Sequence, residues 1–199
     1  MKNMKKKNKI IAIMTAVLLS ASLAACGNTV RAETESADSA AHSDVLVAYF
    51  SATGTTKGVA EKIASVTGGD LYEILAAEPY SEADLNYNDS SSRSTMEQND
   101  ESVRPEIGSE ELSLEGYTTV YLGFPIWWGE EPRILDTFVE TYSFDGITVI
   151  PFCTSGGSGI GRSGSNMEEL AGSGTWLEGE RFSGSVSEEE LQDWISGLQ

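Results

Sequence analysis

The chain has 199 residues, with 31 acidic residues against 13 basic ones, one histidine and two cysteines. This negative charge argues against binding to nucleic acid and against electrostatic docking on anionic lipid, because both need a basic surface. A single histidine and the lack of a CxxC pair argue against a metal site of the zinc type, and we expect no metal.

The first 25 residues have the pattern of a targeting segment. Five lysines among the first nine residues precede an apolar run over residues 10–25, shorter than the roughly 20 residues of a membrane-spanning helix. Such a pattern is typical of a secretory signal peptide. The run ends in Leu-Ala-Ala before Cys26, which resembles the lipobox of bacterial lipoproteins. We therefore expect a lipid on Cys26; the alternatives are an ordinary signal peptide and an uncleaved anchor.

We expect residues 26–43 to comprise the lipidated cysteine and a flexible linker. The linker follows from a composition rich in Ala, Ser, Thr and Glu without an apolar period. Residues 44–199 have the usual length of one domain. Loss of the signal peptide would leave 8 basic against 31 acidic residues, a formal charge of −23. This charge suits either a tethered domain that faces basic partners or a domain that charge keeps soluble.

The folded part begins with a strand, a turn, a helix and a second strand. Residues 45–50 are a continuous apolar run, which predicts a strand buried on both faces of a parallel sheet. Apolar residues then recur at helical spacing until Gly68, and residues 71–75 form a plausible second strand. Residues 76–111 are polar and acidic, with one helix expected near residues 94–103.

The second half continues the alternation. We expect strands at residues 118–122 and 147–152, a helix that starts with Pro132, a helix within residues 166–171 and a short edge strand at residues 180–182. Ser187 and Glu190 make a capping box for the last helix. Alternating strands and helices predict an α/β fold with a parallel sheet and helices on both faces, and ligands bind such sheets beyond the carboxyl ends of the strands.

Three loops at that edge carry the candidate chemistry. Residues 51–56, Ser-Ala-Thr-Gly-Thr-Thr, form a hydroxyl-rich turn before a helix, which predicts a phosphate site on the helix N-terminus. The alternative is a simple capping turn. After the third strand, Trp127 and Trp128 offer a surface for stacking a planar ring, although one of them is expected to pack on the core.

The third loop, residues 151–161, is rich in glycine and can bind the polar edge of a heterocycle through main-chain groups. Cys153 lies at its start. A phosphatase-like C-x5-R loop would require arginine at position 159, which is Gly159, so we expect Cys153 to be a buried structural thiol.

These three loops, T-G-x-T, GFPIWWGEEP and PFCTSGGSG, resemble the FMN loops of the flavodoxin family across nearly all of residues 44–199. The P-I-W-W loop is more similar to a flavodoxin-like branch of the family than to the small electron carriers themselves. The resemblance implies a five-stranded parallel sheet in the order 2-1-3-4-5 and an FMN cofactor. The FMN-binding residues that it implies are Ser51, Thr53, Gly54, Thr55 and Thr56 at the phosphate, Pro125, Ile126, Trp127, Trp128 and Gly129 beside the isoalloxazine, and Thr154, Ser155, Gly156 and Gly157 at its pyrimidine side.

The expected function is electron transfer at the outer face of the cytoplasmic membrane, with an unidentified redox partner protein or small electron acceptor. The alternatives are an FMN-dependent NAD(P)H or quinone oxidoreductase, since the third loop lacks an aromatic residue to cover one ring face, and a flavin-free binding module. We assign no catalytic residue. Indole stacking and the nearby carboxylates of Glu130 and Glu131 predict a low flavin potential. Residues 78–111 form either a lid or docking loop, or an ordinary surface loop.

Overall fold

The computed structural model of the protein describes residues 43–198, so the predicted signal peptide, Cys26 and most of the linker lie outside the described residues. The helices and strands are β1 (Val45–Tyr49), α1 (Thr55–Thr67), β2 (Asp70–Glu73), α2 (Arg93–Gln98), β3 (Thr119–Pro125), α3 (Arg133–Thr141), β4 (Thr148–Thr154), α4 (Ser163–Ala171), β5 (Thr175–Trp176), β6 (Glu180–Phe182) and α5 (Glu188–Gly197). None of the helices in residues 43–198 is long and apolar enough to cross a membrane.

The sheet has the predicted α/β architecture. Its strands run in the order β2-β1-β3-β4-β5, every pair is parallel, and β6 also pairs with β4. Alternate residues of each strand enter different cores, as the pleat requires. Val47 and Tyr49 pack with α1 and α5, whereas Leu46 and Ala48 pack with α3 and α4. Helices therefore cover both faces of the sheet, and the sheet order 2-1-3-4-5 is confirmed.

The edge strand beside β4 is interrupted, which the sequence did not indicate. The Thr148 N–H donates toward β3, to the Thr118 carbonyl, whereas the Val149 carbonyl accepts from Leu177 on the opposite side. By this alternation Pro151 faces the edge strand, and proline has no N–H to donate. The edge strand is broken opposite Pro151, into β5 before it and the predicted strand at residues 180–182, now β6, after it.

Other boundaries shift by a few residues. The helix predicted near residues 94–103 ends at Gln98, because the Asp100 carboxylate accepts hydrogen bonds from the N–H and hydroxyl of Ser102 and fixes a turn. Pro132 precedes α3 as its cap instead of occupying the first helical position. The capping box of Ser187 and Glu190 at the start of α5 is present as predicted.

Gly123 of β3 provides a test of the packing near the carboxyl ends of the strands. A Cβ at this position would overlap the ring of Phe152, its partner on β4. We expect Gly123→Ala to lower the free energy of unfolding by about 1–3 kcal/mol, since overpacking forces shifts in a dense core. Denaturant unfolding of the protein without ligand measures this loss.

The matched control is Gly58→Ala, because a Cβ at Gly58 of α1 meets no atom within 4 Å. Alanine in a helix interior should leave stability unchanged or raise it by up to about 1 kcal/mol. Equal effects of the two substitutions would contradict the packing assigned to Gly123.

Candidate functional site

The first loop, residues 51–56, leaves hydrogen-bonding groups without protein partners. Gly54, which precedes α1, has φ of 85°, and no side chain caps the helix. The first N–H groups of α1 therefore lack a side-chain acceptor. The Ser51 hydroxyl is also buried without a hydrogen-bond partner. The Lys57 ammonium lies 3.2 Å from a Glu73 carboxylate oxygen. The loop thus offers neutral donors to an anion.

Direct hydrogen bonds join the first loop to the third, and the third to the second. The Thr56 and Thr154 hydroxyls are 2.8 Å apart in a buried hydrogen bond. The Ile126 N–H donates to the Thr154 carbonyl at 3.0 Å. Because Thr154 ends β4 and takes part in both contacts, it holds the three loops in one arrangement.

The second loop separates its two tryptophans. The Trp127 side chain is 3% exposed and makes edge-on contacts with the rings of Phe50 and Tyr80 at 5.6 and 5.2 Å between centroids. Trp128 is 43% exposed, and its ring lies 4.5 Å from that of Tyr87. One tryptophan therefore belongs to the core, as expected, while the other forms an aromatic pair at the surface.

A tight turn produces this separation. Trp127 and Glu130 exchange backbone hydrogen bonds of 2.9 and 3.1 Å, and the two residues between them have positive φ, 50° at Trp128 and 93° at Gly129. Positive φ at both central positions is the pattern of a type I′ turn. For an aromatic residue this backbone costs about 1–3 kcal/mol and persists only where the surroundings hold it.

The third loop is fixed by a residue from the edge of the sheet. The guanidinium of Arg181, on β6, donates to the Ser155 carbonyl at 2.9 Å and to its hydroxyl at 3.3 Å. The Ser155 hydroxyl in turn donates to the Ser158 carbonyl. Cys153 is fully buried, and burial raises the pKa of its thiol to about 12, so it stays a neutral structural thiol as predicted.

These loops enclose a cavity of about 500 Å³, here called the first cavity. This volume is within the range of pockets that bind small molecules. Ten of the predicted site residues line it: Ser51, Thr53, Thr55, Thr56, Pro125, Ile126, Trp127, Thr154, Ser155 and Gly156. Four predicted residues do not line it: Gly54 and Gly157 lie within their loops, and Trp128 and Gly129 form the type I′ turn.

The sequence did not indicate six further lining residues. Leu85 and Tyr87 come from the segment of residues 78–111, and Arg181, Ser183 and Gly184 from the end of β6; Ala52 lies inside the first loop. The residues after β6 could have been predicted from the sequence, because Ser183 and Gly184 are small residues directly after a strand that ends at the same edge of the sheet as the three loops. Leu85 and Tyr87 lie in a segment without periodicity.

The segment of residues 78–111 forms part of the wall of the first cavity. Leu85 and Tyr87 line it. Behind them, the Gln98 amide donates to the Trp127 and Glu131 carbonyls at 3.1 Å each. The Tyr80 hydroxyl donates to Glu97 at 2.6 Å, and the Arg93 guanidinium lies 4.0 Å from the centre of the Tyr80 ring. The segment therefore supports the second loop rather than projecting as an ordinary surface loop.

The charge at the first cavity differs from the expectation. Glu130 and Glu131 do not line it: the Glu130 carboxylate lies 3.0 Å from Arg133, and Glu131 is buried elsewhere. Among the described residues that do line it, Arg181 carries the charge. The two carboxylates on which the low-potential prediction partly rested therefore do not line the cavity, and the low potential stays a prediction.

Known proteins are similar to this chain in fold and in sequence. A family model described as flavodoxin matches residues 44–198. A protein designated a flavoprotein from Bacteroides eggerthii is 45% identical, with a TM-score of 0.73 over 77% of this chain and 96% of its own. A similarly designated protein from Bacteroides uniformis is 42% identical, with a TM-score of 0.74 over 78% and 99%.

A more distant structure shows the fold alone. A flavoprotein from Lactobacillus acidophilus, solved in complex with FMN, is 24% identical, with a TM-score of 0.58 over 76% of this chain and 97% of its own. A comparison with curated protein sequences gives no match. The family model spans the whole domain and the Bacteroides proteins align over nearly their full length, so this chain belongs to the flavodoxin family.

Proposed function

We propose that this protein binds FMN in the first cavity and transfers electrons at the outer face of the cytoplasmic membrane, where a lipid on Cys26 holds it. One observation carries the proposal: the loops after β1, β3 and β4 meet in a single cavity whose lining includes Ser51, with its unpaired hydroxyl, and the aromatic residues Tyr87 and Trp127. When bound, FMN supplies the redox chemistry, and the protein orients and tunes it.

The residues present suit the two ends of FMN. Ser51 has a buried hydroxyl without a partner, and the first N–H groups of α1 lack a side-chain cap, so both can donate to a phosphate. Ile126 and the exposed ring of Tyr87 line the cavity and offer surface for a planar ring. The related proteins designated as flavoproteins, and the FMN complex of the Lactobacillus protein, are consistent with this assignment.

Arg181 bears on the redox potential of bound FMN. Reduction adds negative charge to the flavin, and the Arg181 guanidinium lines the same cavity. A positive charge nearby favours the anionic form of a group. Arg181 therefore raises the potential of the bound flavin.

The site itself favours a flavin-binding protein over the flavin-free module. The unpaired donors of the first loop support flavin binding, which a flavin-free module would not need. An oxidoreductase would also bind NAD(P)H or a quinone, and the third loop leaves space at the cavity because its glycines carry no side chain. The way in which the flavin is reduced separates carrier from oxidoreductase.

Flavin binding tests the proposal directly. We expect the full-length chain to bind FMN on the order of 100-fold or more tightly than riboflavin, because charge-assisted hydrogen bonds to the phosphate contribute about 1.5–3 kcal/mol each. Ser51→Ala should weaken FMN binding about 10-fold and leave riboflavin binding unchanged. Flavin absorbance and fluorescence titrations measure both affinities.

Equal affinity for FMN and riboflavin would contradict the phosphate assignment. A protein that binds neither flavin would support the alternative of a flavin-free binding module. In a reductive titration a carrier gives two resolved one-electron steps. Rapid oxidation of NAD(P)H by the FMN-loaded protein would favour the oxidoreductase instead.

The Arg181 argument predicts a shift in potential. Arg181→Gln should lower the midpoint potential of bound FMN by roughly 40 mV for a one-electron step, which corresponds to about 1 kcal/mol of lost charge stabilisation. Arg162→Gln makes the same charge change at an exposed residue that does not line the first cavity, and should shift the potential by much less. Spectroelectrochemistry measures both variants, and equal shifts would rule out a local effect of Arg181.

The lipid anchor is tested by the Cys26→Ser variant. The lipid would be attached to the cysteine sulfur, which serine lacks. We therefore expect this variant either to be absent from the membrane fraction or to keep its N-terminal segment uncleaved. Mass spectrometry of the N-terminal peptide of the unmodified sequence should show acyl chains on Cys26. An unmodified Cys26 in a membrane-bound protein would favour an uncleaved anchor.

A further inference from the structure

Two aromatic rings stand next to each other at the surface beside the first cavity. Tyr87 is 56% exposed and Trp128 is 43% exposed. Their ring centroids are 4.5 Å apart, and their planes meet at 36°. Large rings that stay exposed in contact with each other, rather than singly, point to an interaction site. Trp128 also keeps a φ of 50°, and strained backbone of this kind is concentrated at ligand sites.

The two rings differ in their relation to the first cavity. Tyr87 lines the cavity, whereas Trp128 does not. Trp128 therefore contacts the Tyr87 ring from a side that the cavity does not reach. A centroid distance of 4.5 Å is in the range of stacked aromatic pairs, so this contact limits the movement of the Tyr87 side chain.

The backbone on both sides of the pair is held by hydrogen bonds. Tyr87 lies in a tight turn, in which the Asp89 N–H donates to the Asn86 carbonyl at 3.1 Å. The Asn86 side-chain oxygen also accepts from the Asn88 N–H at 3.0 Å. Trp128 lies in the type I′ turn of the second loop. Each ring is therefore presented by a short, closed turn, which lowers the cost of ordering it around a ligand.

Trp127, the other aromatic residue among the described residues that line the cavity, is less available. It is 3% exposed, and its ring packs edge-on against Phe50 and Tyr80 in the core. The third loop contributes lining residues without a ring, namely Thr154, Ser155 and Gly156. Tyr87 is thus the aromatic lining residue with exposed ring surface for a planar ligand.

We propose that the Tyr87 ring stacks on the isoalloxazine of bound FMN and that Trp128 positions the Tyr87 ring for this contact. The inference rests on the proposed binding of FMN in the first cavity. It assigns the aromatic cover, which the third loop lacks, to the segment of residues 78–111. Trp128 then acts through Tyr87 without contacting the flavin, which gives a reason for its strained, outward position.

Titration of the full-length chain with two flavins tests the contact of Tyr87. FMN and riboflavin share the isoalloxazine and differ in the phosphate, so a stacking residue contributes to both affinities. Tyr87→Ala should weaken the binding of each flavin about 10-fold, the size expected for the loss of one stacked ring. Tyr87→Phe keeps the ring and should bind both flavins within about 3-fold of the unmodified sequence. Flavin absorbance and fluorescence titrations measure the affinities.

The matched control is Leu75→Ala, which truncates another apolar side chain, 50% exposed, that does not line the first cavity. It should leave both affinities unchanged. If Tyr87→Ala binds riboflavin as tightly as the unmodified sequence does, the inference is overturned while the proposed FMN site stands. An unmodified chain that binds neither flavin would overturn the proposed function and this inference together.

Trp128→Gly separates positioning of Tyr87 from support of the fold. Glycine adopts positive φ without strain, so this variant without ligand should need at least as much denaturant to unfold as the unmodified sequence. Its affinity for FMN and riboflavin should nevertheless fall about 5-fold, because binding must then order an unsupported Tyr87 side chain. Trp128→Phe keeps a ring beside Tyr87 and should restore most of the lost affinity.

The double variant shows whether Trp128 acts through Tyr87. Residues that contribute through one shared contact are not additive, so Tyr87→Ala with Trp128→Gly should bind FMN as Tyr87→Ala alone does. Two losses that add would overturn the positioning role of Trp128, and so would a Trp128→Gly variant with unchanged flavin affinity. Far-UV circular dichroism and denaturant unfolding establish that each variant is folded.

Discussion

The parallel pairing of β1, β3 and β4 is the constraint on which the first cavity depends. Because these strands run in the same direction, the loops after them meet at one edge of the sheet. The strand pairing alone would leave the loops close but unaligned. The buried hydrogen bond between Thr56 and Thr154, with the Ile126 N–H on the Thr154 carbonyl, holds them in one arrangement. A binding site can then form from short, local segments that are far apart in sequence.

The sequence predicted the sheet and most of the first cavity because both follow from local patterns. Buried parallel strands are continuous apolar runs, and the loops after them carry hydroxyls, tryptophans and glycines in consecutive positions. The interruption of the edge strand could not be predicted in the same way. It arises from which side of β4 Pro151 faces, and this depends on strand register rather than on composition.

The residues that the sequence did not reveal come from outside the three loops. Tyr87 belongs to a polar segment whose course is fixed by side-chain hydrogen bonds such as those of Asp84 with Ser81 and Asp89 with Ser91. Such turns have no hydrophobic period to detect. Trp128 also required the structure, since its outward position comes from the positive φ of a two-residue turn, and consecutive tryptophans alone do not show which one is buried.

The same turn affects which charged residues line the first cavity. Glu130 and Glu131 follow the tryptophans in sequence and were expected to influence the flavin. The type I′ turn reverses the chain after Trp127, the Glu130 carboxylate pairs with Arg133 of α3, and neither glutamate lines the first cavity. Arg181, some 50 residues later in the chain, supplies the charge at the first cavity instead. A local backbone conformation therefore helps to decide which charges line the first cavity, and the positive φ of Trp128 is the strained part of that conformation.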